Sequence, residues 1–352
     1  MITPSSQRID VGILGATGTV GQQFIRLLEN HRWFNPAWLA ASERSEGRAY
    51  LDATSWRLPS PIPPGIASRR VDACVPGRGP KLVFSGLDAA AAQDIEPAFA
   101  AAGHIVVSNA RSFRMDPRVP LVIPEVNADH LALIPHQQRE RGWSGAIVTN
   151  PNCSTVVLSI MLAALRPFGI RRVIVTTLQA VSGAGYPGVA SLDIVGNVVP
   201  FIQGEEEKIE TETRKILGAI EGDSVVAHPM AVSAQTTRVP VIDGHTEAIA
   251  VAFGEAPPVA DARAAIEQFR GRPQELGLPS APAAPVVYLD APERPQPRLD
   301  VDRCGGMAVT VGRLRKCPVL DLKLVALGHN TVRGAAGAAI LNAELMKVDG
   351  WL

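Results

Sequence analysis

The run Asn150-Pro151-Asn152-Cys153-Ser154-Thr155 places one cysteine where a thiolate nucleophile is useful. A turn-forming Asn-Pro-Asn leads straight into the apolar stretch Val156 to Leu165, which predicts a helix with Cys153 at its N-terminus. Unpaired backbone N–H groups and the positive end of the helix dipole favour an anion there. They lower a thiol pKa and also suit an oxyanion formed beside the sulfur. The competing reading is a buried structural cysteine. The other cysteines, Cys74, Cys304 and Cys317, are scattered without C-x-x-C spacing, which suits neither a zinc site nor a disulfide framework, and no metal is expected.

A second chemical feature lies near the start. Gly15-x-x-Gly18-x-x-Gly21 follows the short apolar strand Val11-Gly12-Ile13-Leu14, and Phe24, Ile25, Leu27 and Leu28 then recur at helical spacing. Strand, glycine turn and helix are the context of a dinucleotide fingerprint, in which the backbone approaches a pyrophosphate held at the helix N-terminus. The next strand ends in Ser42-Glu43-Arg44-Ser45. Arg44 flanked by serines suits a ribose 2′-phosphate and favours NADP, while Glu43 leaves room for NAD and a solvated loop is the plain alternative.

A thiolate paired with a nicotinamide cofactor suggests attack on an aldehyde, loss of hydride and release of the resulting thioester to phosphate or another acceptor. Such chemistry needs an acid/base. Among the seven histidines, His245 closes the extended segment Arg238-Val239-Pro240-Val241-Ile242-Asp243-Gly244-His245, where a bend at Pro240 or Gly244 brings a cation and an imidazole nearer. On these residues alone His245 stands open between catalysis and structure.

These groups need elements to position them. Trp38–Ala41, Lys81–Phe84 and His104–Val107 read as buried strands separated by helix-like stretches, which predicts a Rossmann-type doubly wound parallel sheet. Beyond residue 150 the longer strands Val173–Leu178, Glu247–Phe253 and Ala308–Val311 predict an α+β catalytic and dimerisation domain with a mixed or antiparallel sheet. The proline-rich piece Pro279 to Pro297 encloses Val286-Val287-Tyr288-Leu289 and reads as an ordered crossing loop rather than a linker. Gly334 to Lys347 reads as an alanine-rich helix that packs back on the first domain. The expected division is 1–150 plus 329–352 for the nucleotide domain and 151–328 for the catalytic domain. The stretch from Arg57 to Pro80 matches no interpretable motif.

Length and charge bound the rest. At 352 residues two domains are the default, and 34 basic against 34 acidic side chains ask for neither nucleic acid nor an anionic membrane. The N-terminus, Met1 to Asp10, is polar and leads directly into a strand, and no apolar run reaches the roughly eighteen residues of a spanning helix. A cytoplasmic protein is expected.

Taken together, Gly-Ala-Thr-Gly-Thr-Val-Gly at 15–21, Ser-Asn-Ala-Arg-Ser-Phe-Arg-Met at 108–115, the motif at 150–155, Gln-Ala-Val-Ser-Gly-Ala-Gly at 179–185, the Glu-rich segment 205–217, Arg238 through His245, and Asn-Thr-Val-Arg-Gly-Ala-Ala-Gly at 330–337 form a pattern. In that pattern the chain resembles the aspartate-β-semialdehyde dehydrogenase family, in particular its archaeal and fungal branch. The resemblance implies NADPH-dependent reductive dephosphorylation of L-4-aspartyl phosphate to aspartate semialdehyde, a step toward lysine, methionine and threonine, by a homodimer or homotetramer. It implies Cys153 as nucleophile, His245 as acid/base and Gln179 as the group orienting the acyl carbon. Arg238 would grip the substrate carboxylate with its bidentate fork, Glu205 would hold the amino group with Glu206 as the alternative, and Arg114, Asn152 and Lys208 would form a phosphate pocket. Gly15, Thr17, Gly18, Thr19, Val20, Ser42, Arg44, Ser45 and Asn330 would line the NADP site. The rival readings are a malonyl-CoA reductase or related acyl-thioester reductase on the same scaffold, and a non-catalytic NADP-sensing protein. Arg114, Lys208 and Glu205 speak against the first. The set Cys153, Gln179, Arg238 and His245 speaks against the second.

Overall fold

The computed structural model describes residues 8–352; residues 1–7, most of the polar start of the chain, lie outside the described residues. The chain divides into two compact units.

The first unit takes the chain up to Pro120, then Leu131–Asn150 and Ala339–Leu352. Its six strands are β1 (Ile9–Leu14), β2 (Phe34–Ala41), β3 (Asp72–Ala73), β4 (Leu82–Ser85), β5 (Ile105–Ser108) and β6 (Ala146–Thr149). They form one sheet in the order β3-β2-β1-β4-β5-β6, and every pair is parallel. β4, β5 and β6 are buried at every position, as a sheet covered on both faces requires, and each ends in Ser85, Ser108 or Thr149. The order reverses between β1 and β4, the switch point at which doubly wound sheets bind ligands. The helix Thr19–Leu28 follows β1 and buries Phe24, Ile25 and Leu28.

The second unit comprises Leu121–His130 and Pro151–Ala338. Residues 121–130, placed by the sequence with the nucleotide domain, thus belong here, and the chain returns to the first unit at Ala339 rather than 329. The cause is local: Leu121 and Ile123 join the core of the second unit, and Asn127 holds that segment together by accepting from Ile123 N and donating to Leu121 O, each at 2.8 Å.

The main sheet of this unit is built from β7 (Ile170–Gln179), β10 (Ala231–Arg238), β11 (His245–Phe253), β12 (Val286–Leu289), β13 (Val309–Lys316) and β14 (Leu322–Gly328), with a small hairpin of β8 (Ala219–Glu221) and β9 (Ser224–Val226) beside it. The order is β10-β7-β11-β14-β13-β12. β10 runs parallel to β7, whereas β11 is antiparallel to both β7 and β14, so the sheet is mixed. β7 alternates strictly in its second half: Val173, Val175, Thr177 and Gln179 are buried while Ile174 and Leu178 are exposed. The helix Cys153–Leu165 is apolar on every side and buried along nearly its whole length. Its Val156, Val157, Ile160 and Met161 share one core with Val173, Val175, Ile249, Val251 and Leu324. Contact is close enough that a Cβ on Gly328 would lie 2.5 Å from Val157 Cγ2.

The apolar run of the proline-rich segment is the edge strand β12, parallel to β13. The C-terminal helix begins later than expected, at Gly337, because residues 332–336 form a π-helical turn. Residues 57–80 carry the short helix Pro64–Ala67 and β3 of the nucleotide sheet.

Candidate active site

Cys153 is the first residue of its helix, as the sequence requires. The cap is Asn152, whose Oδ1 accepts from Ser154 N at 3.0 Å and Thr155 N at 3.2 Å. The same residue donates from its backbone N to Glu212 Oε2 and from Nδ2 to Glu205 Oε1, both at 2.6 Å. Asn152 therefore fixes the helix start and joins it to the helix Glu205–Ile216. Glu205, Lys208 and Glu212 recur at i, i+3 and i+7 on that helix, hence on one face.

His245 opens β11 and is fully buried. Its Nε2 stands 3.2 Å from Cys153 Sγ, and its Nδ1 accepts from Ala180 N at 3.1 Å. Burial, and next the Arg238 cation, hold its pKa down at about 3 against the opposing pull of Glu205 and the Gly244 backbone. The ring is neutral at physiological pH.

Arg238 and His245 are brought together by a bend at Gly244, one of the two positions expected, and by the register of their strands. Arg238 ends β10 opposite Gln179 at the end of β7, while Thr246 of β11 pairs with Leu178 from the other side. The turn between the two strands passes through Gly244 at φ +98°. Both side chains lie against Gly183, where a Cβ would come within 2.9 Å of Arg238 Nη1 and 3.1 Å of His245 Nε2. Arg238 Nη1 donates to Ala180 O at 2.7 Å. Burial pulls its pKa below the ordinary value, with Cys153 and Glu205 opposing. Gln179 ends β7, the strand between β10 and β11; it is buried and donates to Thr177 Oγ1 at 3.2 Å.

Glu205 is buried and accepts from Lys208 Nζ at 2.9 Å. Burial pushes its carboxyl up, but Lys208 and then Asn152 outweigh burial and leave the pKa below the ordinary value. It is a carboxylate at neutral pH. The alternative, Glu206, is committed elsewhere, since its Oε1 accepts from Thr236 N on the edge strand β10 at 3.0 Å. Asn330 accepts from Gly244 N at 2.9 Å and donates to Ser182 Oγ at 2.8 Å.

The remaining named residues belong to the first unit. Arg114 is buried and donates from Nη2 to Asn109 O at 2.7 Å. Gly15 adopts φ +72°, and a Cβ there would meet Gly86 O at 2.8 Å; at Gly21 it would meet Gly15 O at 2.3 Å. No side chain caps the helix at Gly18, so the leading amides at Thr19 and Val20 suit an anion, with Thr17 beside them in the turn. Ser42 and Arg44 are exposed and Ser45 is buried in the 3₁₀ turn that follows β2. A pyrophosphate at the glycine turn and a 2′-phosphate at Arg44 fit these groups.

Two family models cover most of the chain: residues 10–134 match the semialdehyde dehydrogenase NAD binding domain, and residues 162–333 match the semialdehyde dehydrogenase dimerisation domain. The aspartate-semialdehyde dehydrogenase of Methanothermobacter thermautotrophicus is 52% identical over 96% of this chain and 99% of its own. The chain belongs to the aspartate-semialdehyde dehydrogenase family. The enzyme of that name from Cryptococcus neoformans is 52% identical over 97% of this chain and 98% of its own. A crystal structure of aspartate semialdehyde dehydrogenase with NADP from Candida albicans superposes with a TM-score of 0.91 at 43% identity, covering 98% of this chain and all of that one.

Within this member of the aspartate-semialdehyde dehydrogenase family, four contributors were not read from the sequence. Glu212 was detectable from its spacing to Glu205 on one helix face. Gly183 and Ser182 lie inside the 179–185 motif, whose sequence gives no reason for them. The Ala180 amide and carbonyl carry no side-chain signal at all.

Proposed function

We propose that this protein is an NADP-dependent, phosphorylating aspartate-semialdehyde dehydrogenase that interconverts L-4-aspartyl phosphate and L-aspartate 4-semialdehyde. The observation that carries this reading is the 3.2 Å approach of Cys153 Sγ to His245 Nε2 at a helix N-terminus beside Arg238 and Glu205.

In the oxidative direction Cys153, as thiolate, adds to the aldehyde carbon, forming a C–S bond as the C=O π pair moves onto oxygen. His245 Nε2, which carries the ring proton because Nδ1 accepts from Ala180 N, donates a hydrogen bond to that oxyanion. Arg238 binds the α-carboxylate, and the Glu205 carboxylate binds the ammonium group of the same substrate. Gln179 fixes the acyl group at the sulfur. NADP, held by Gly15, Thr17, Gly18, Thr19, Val20, Ser42, Arg44 and Ser45, supplies the hydride acceptor of the overall reaction. Phosphate then cleaves the Cys153 thioester, with Lys208 providing positive charge for the incoming anion. Asn152 serves this centre by capping the nucleophile helix and orienting Glu205.

The outer face of β7 exposes Ile174 and Leu178, and Leu192, Val195, Val198 and Phe201 are exposed nearby in sequence. This apolar surface, in the part of the chain that matches a dimerisation domain, suits pairing of two copies. No helix among the described residues is long and apolar enough to cross a membrane, and a cytoplasmic homodimer or homotetramer fits the reading.

The decisive assay is NADP reduction by the purified protein given aspartate semialdehyde, with and without inorganic phosphate. Phosphate-dependent reduction is expected. Turnover of malonyl-CoA in its place would reassign the substrate.

A further inference from the structure

The turn around Gly334 has no assigned part in the chemistry, yet it abuts Cys153 and follows directly on Asn330, which bonds the residue preceding His245. Residues 332–336 form a π-helical turn in which Gly334 N donates to His329 O at 2.9 Å and Ala336 N to Thr331 O at 3.2 Å, each five residues back. Such turns interrupt ordinary helices and concentrate at functional sites. On one side Gly334 is pressed against the nucleophile: a Cβ there would lie 2.6 Å from Cys153 Cβ and 2.9 Å from Cys153 Cα. On the other side Asn330, just before the turn, accepts from the Gly244 amide that precedes His245. The same short segment therefore abuts the nucleophile and holds the start of the strand that carries the imidazole.

The turn has a buried anchor. Arg333 Nη2 donates to Glu125 Oε2 at 2.6 Å, and both side chains are fully buried. Arg333 Nε and Nη1 and Glu125 Oε1 have no hydrogen-bond partner. An ion pair so deeply buried and so incompletely satisfied is a poor source of stability, because desolvating both charges offsets much of their attraction. What it does supply is a fixed position. Glu125 is itself held from behind, since a Cβ on Gly271 would lie 2.4 Å from Glu125 Cα.

We propose that the Val332–Ala336 turn is a brace that sets the sulfur-to-imidazole separation, with the Arg333–Glu125 pair as its anchor and Gly334 as its point of contact. These are positioning residues, and the inference rests on reading Cys153 as nucleophile and His245 as acid/base. A methyl group at 334 must displace either the turn or the nucleophile, and losing the anchor frees the turn to shift.

Two variants test this. Gly334→Ala alters the contact, and the paired replacement Arg333→Met with Glu125→Leu removes the anchor without leaving one charge buried alone. Each is assayed for NADP affinity, kcat, KM for aspartate semialdehyde, and the pH dependence of Cys153 alkylation by iodoacetamide. NADP affinity unchanged, kcat lower on the order of 10²-fold, and KM within about threefold are expected, as for groups misplaced near a reacting centre. The alkylation profile is expected to move to higher pH, which a purely structural role does not cause. Parent-like kcat and alkylation in either folded variant overturns the proposal. Failure of both variants to fold also overturns it, by assigning the turn to stability. Cys153→Ala is the control: if it retains turnover, the reading of the nucleophile fails whatever the variants do.

Discussion

Asn152 Nδ2 donates to Glu205 Oε1 at 2.6 Å, so the residue that caps the helix starting at Cys153 also orients the acid proposed to bind the substrate ammonium. Replacing Asn152 with Asp keeps an oxygen at the cap but sets a second carboxylate against Glu205. Helix capping should survive, while Glu205 becomes harder to ionise and loses its hold on the amine. KM for aspartate semialdehyde at neutral pH is expected to rise about tenfold, roughly 1.4 kcal/mol, with little change in melting temperature. Steady-state kinetics and a thermal melt check both parts.

His245→Asn is expected to lower turnover by roughly 10²–10⁴, the contribution of a positioned acid/base, and a loss below about threefold removes His245 from the mechanism. The same variant has a thermodynamic signature. The folded pKa of about 3 lies below the value of 6.5 for an unperturbed imidazole, so the unfolded chain binds the extra proton first as pH falls. The contribution is complete above 6.5 and is lost between there and 3, at roughly 1.4 kcal/mol per pH unit. Urea unfolding at several pH values should show a shallower acid slope in His245→Asn than in the parent.

Glu247 titrates in the opposite sense. It lies two residues beyond His245 on the buried face of β11, both its oxygens lack partners, and burial drives its carboxyl well above the ordinary range. The folded state holds the neutral acid, so stability is greatest below the unfolded value of 4.5 and is lost as pH rises above it. Glu247→Met should therefore stabilise the fold at pH 7 by about 1–3 kcal/mol, with the gain shrinking toward pH 4. Melting curves at the two pH values decide it.

Arg44→Ala should discriminate between cofactors. Loss of a charge-assisted contact to the 2′-phosphate is expected to raise KM for NADP by roughly 10- to 100-fold and leave KM for NAD nearly unchanged. Equal changes for both dinucleotides would return Arg44 to the solvent.

Charge placed on the exposed face of β7 should separate subunits. Ile174→Asp with Leu178→Asp is expected to shift sedimentation toward the monomer, and an unchanged sedimentation coefficient would move the pairing surface elsewhere.

The placement of Cys153 and of the glycine turn was legible in the sequence because it is written in local signals. An Asn-Pro-Asn turn before an apolar run puts Cys153 at a helix start, and a glycine turn after a short strand leaves an uncapped helix N-terminus at Gly18. The approach of Arg238 to His245 through a bend at Gly244 was legible, whereas the entry of β7 between β10 and β11 was not, being a long-range choice that seven residues of chain do not encode. The role of Asn152 was underestimated for a related reason: its partners Glu205 and Glu212 are distant in the chain. The transfer of residues 121–130 to the second unit follows from packing of Leu121 and Ile123, which no spacing within that short stretch reveals.

The central claim is that Cys153 carries the substrate acyl group during turnover. Protein mixed with NADP and aspartate semialdehyde without phosphate, quenched in acid and digested for mass spectrometry, should show an aspartyl adduct on the Cys153 peptide that disappears when phosphate is added before the quench. NADP reduction in the absence of phosphate with an unmodified Cys153 at every time point would contradict it.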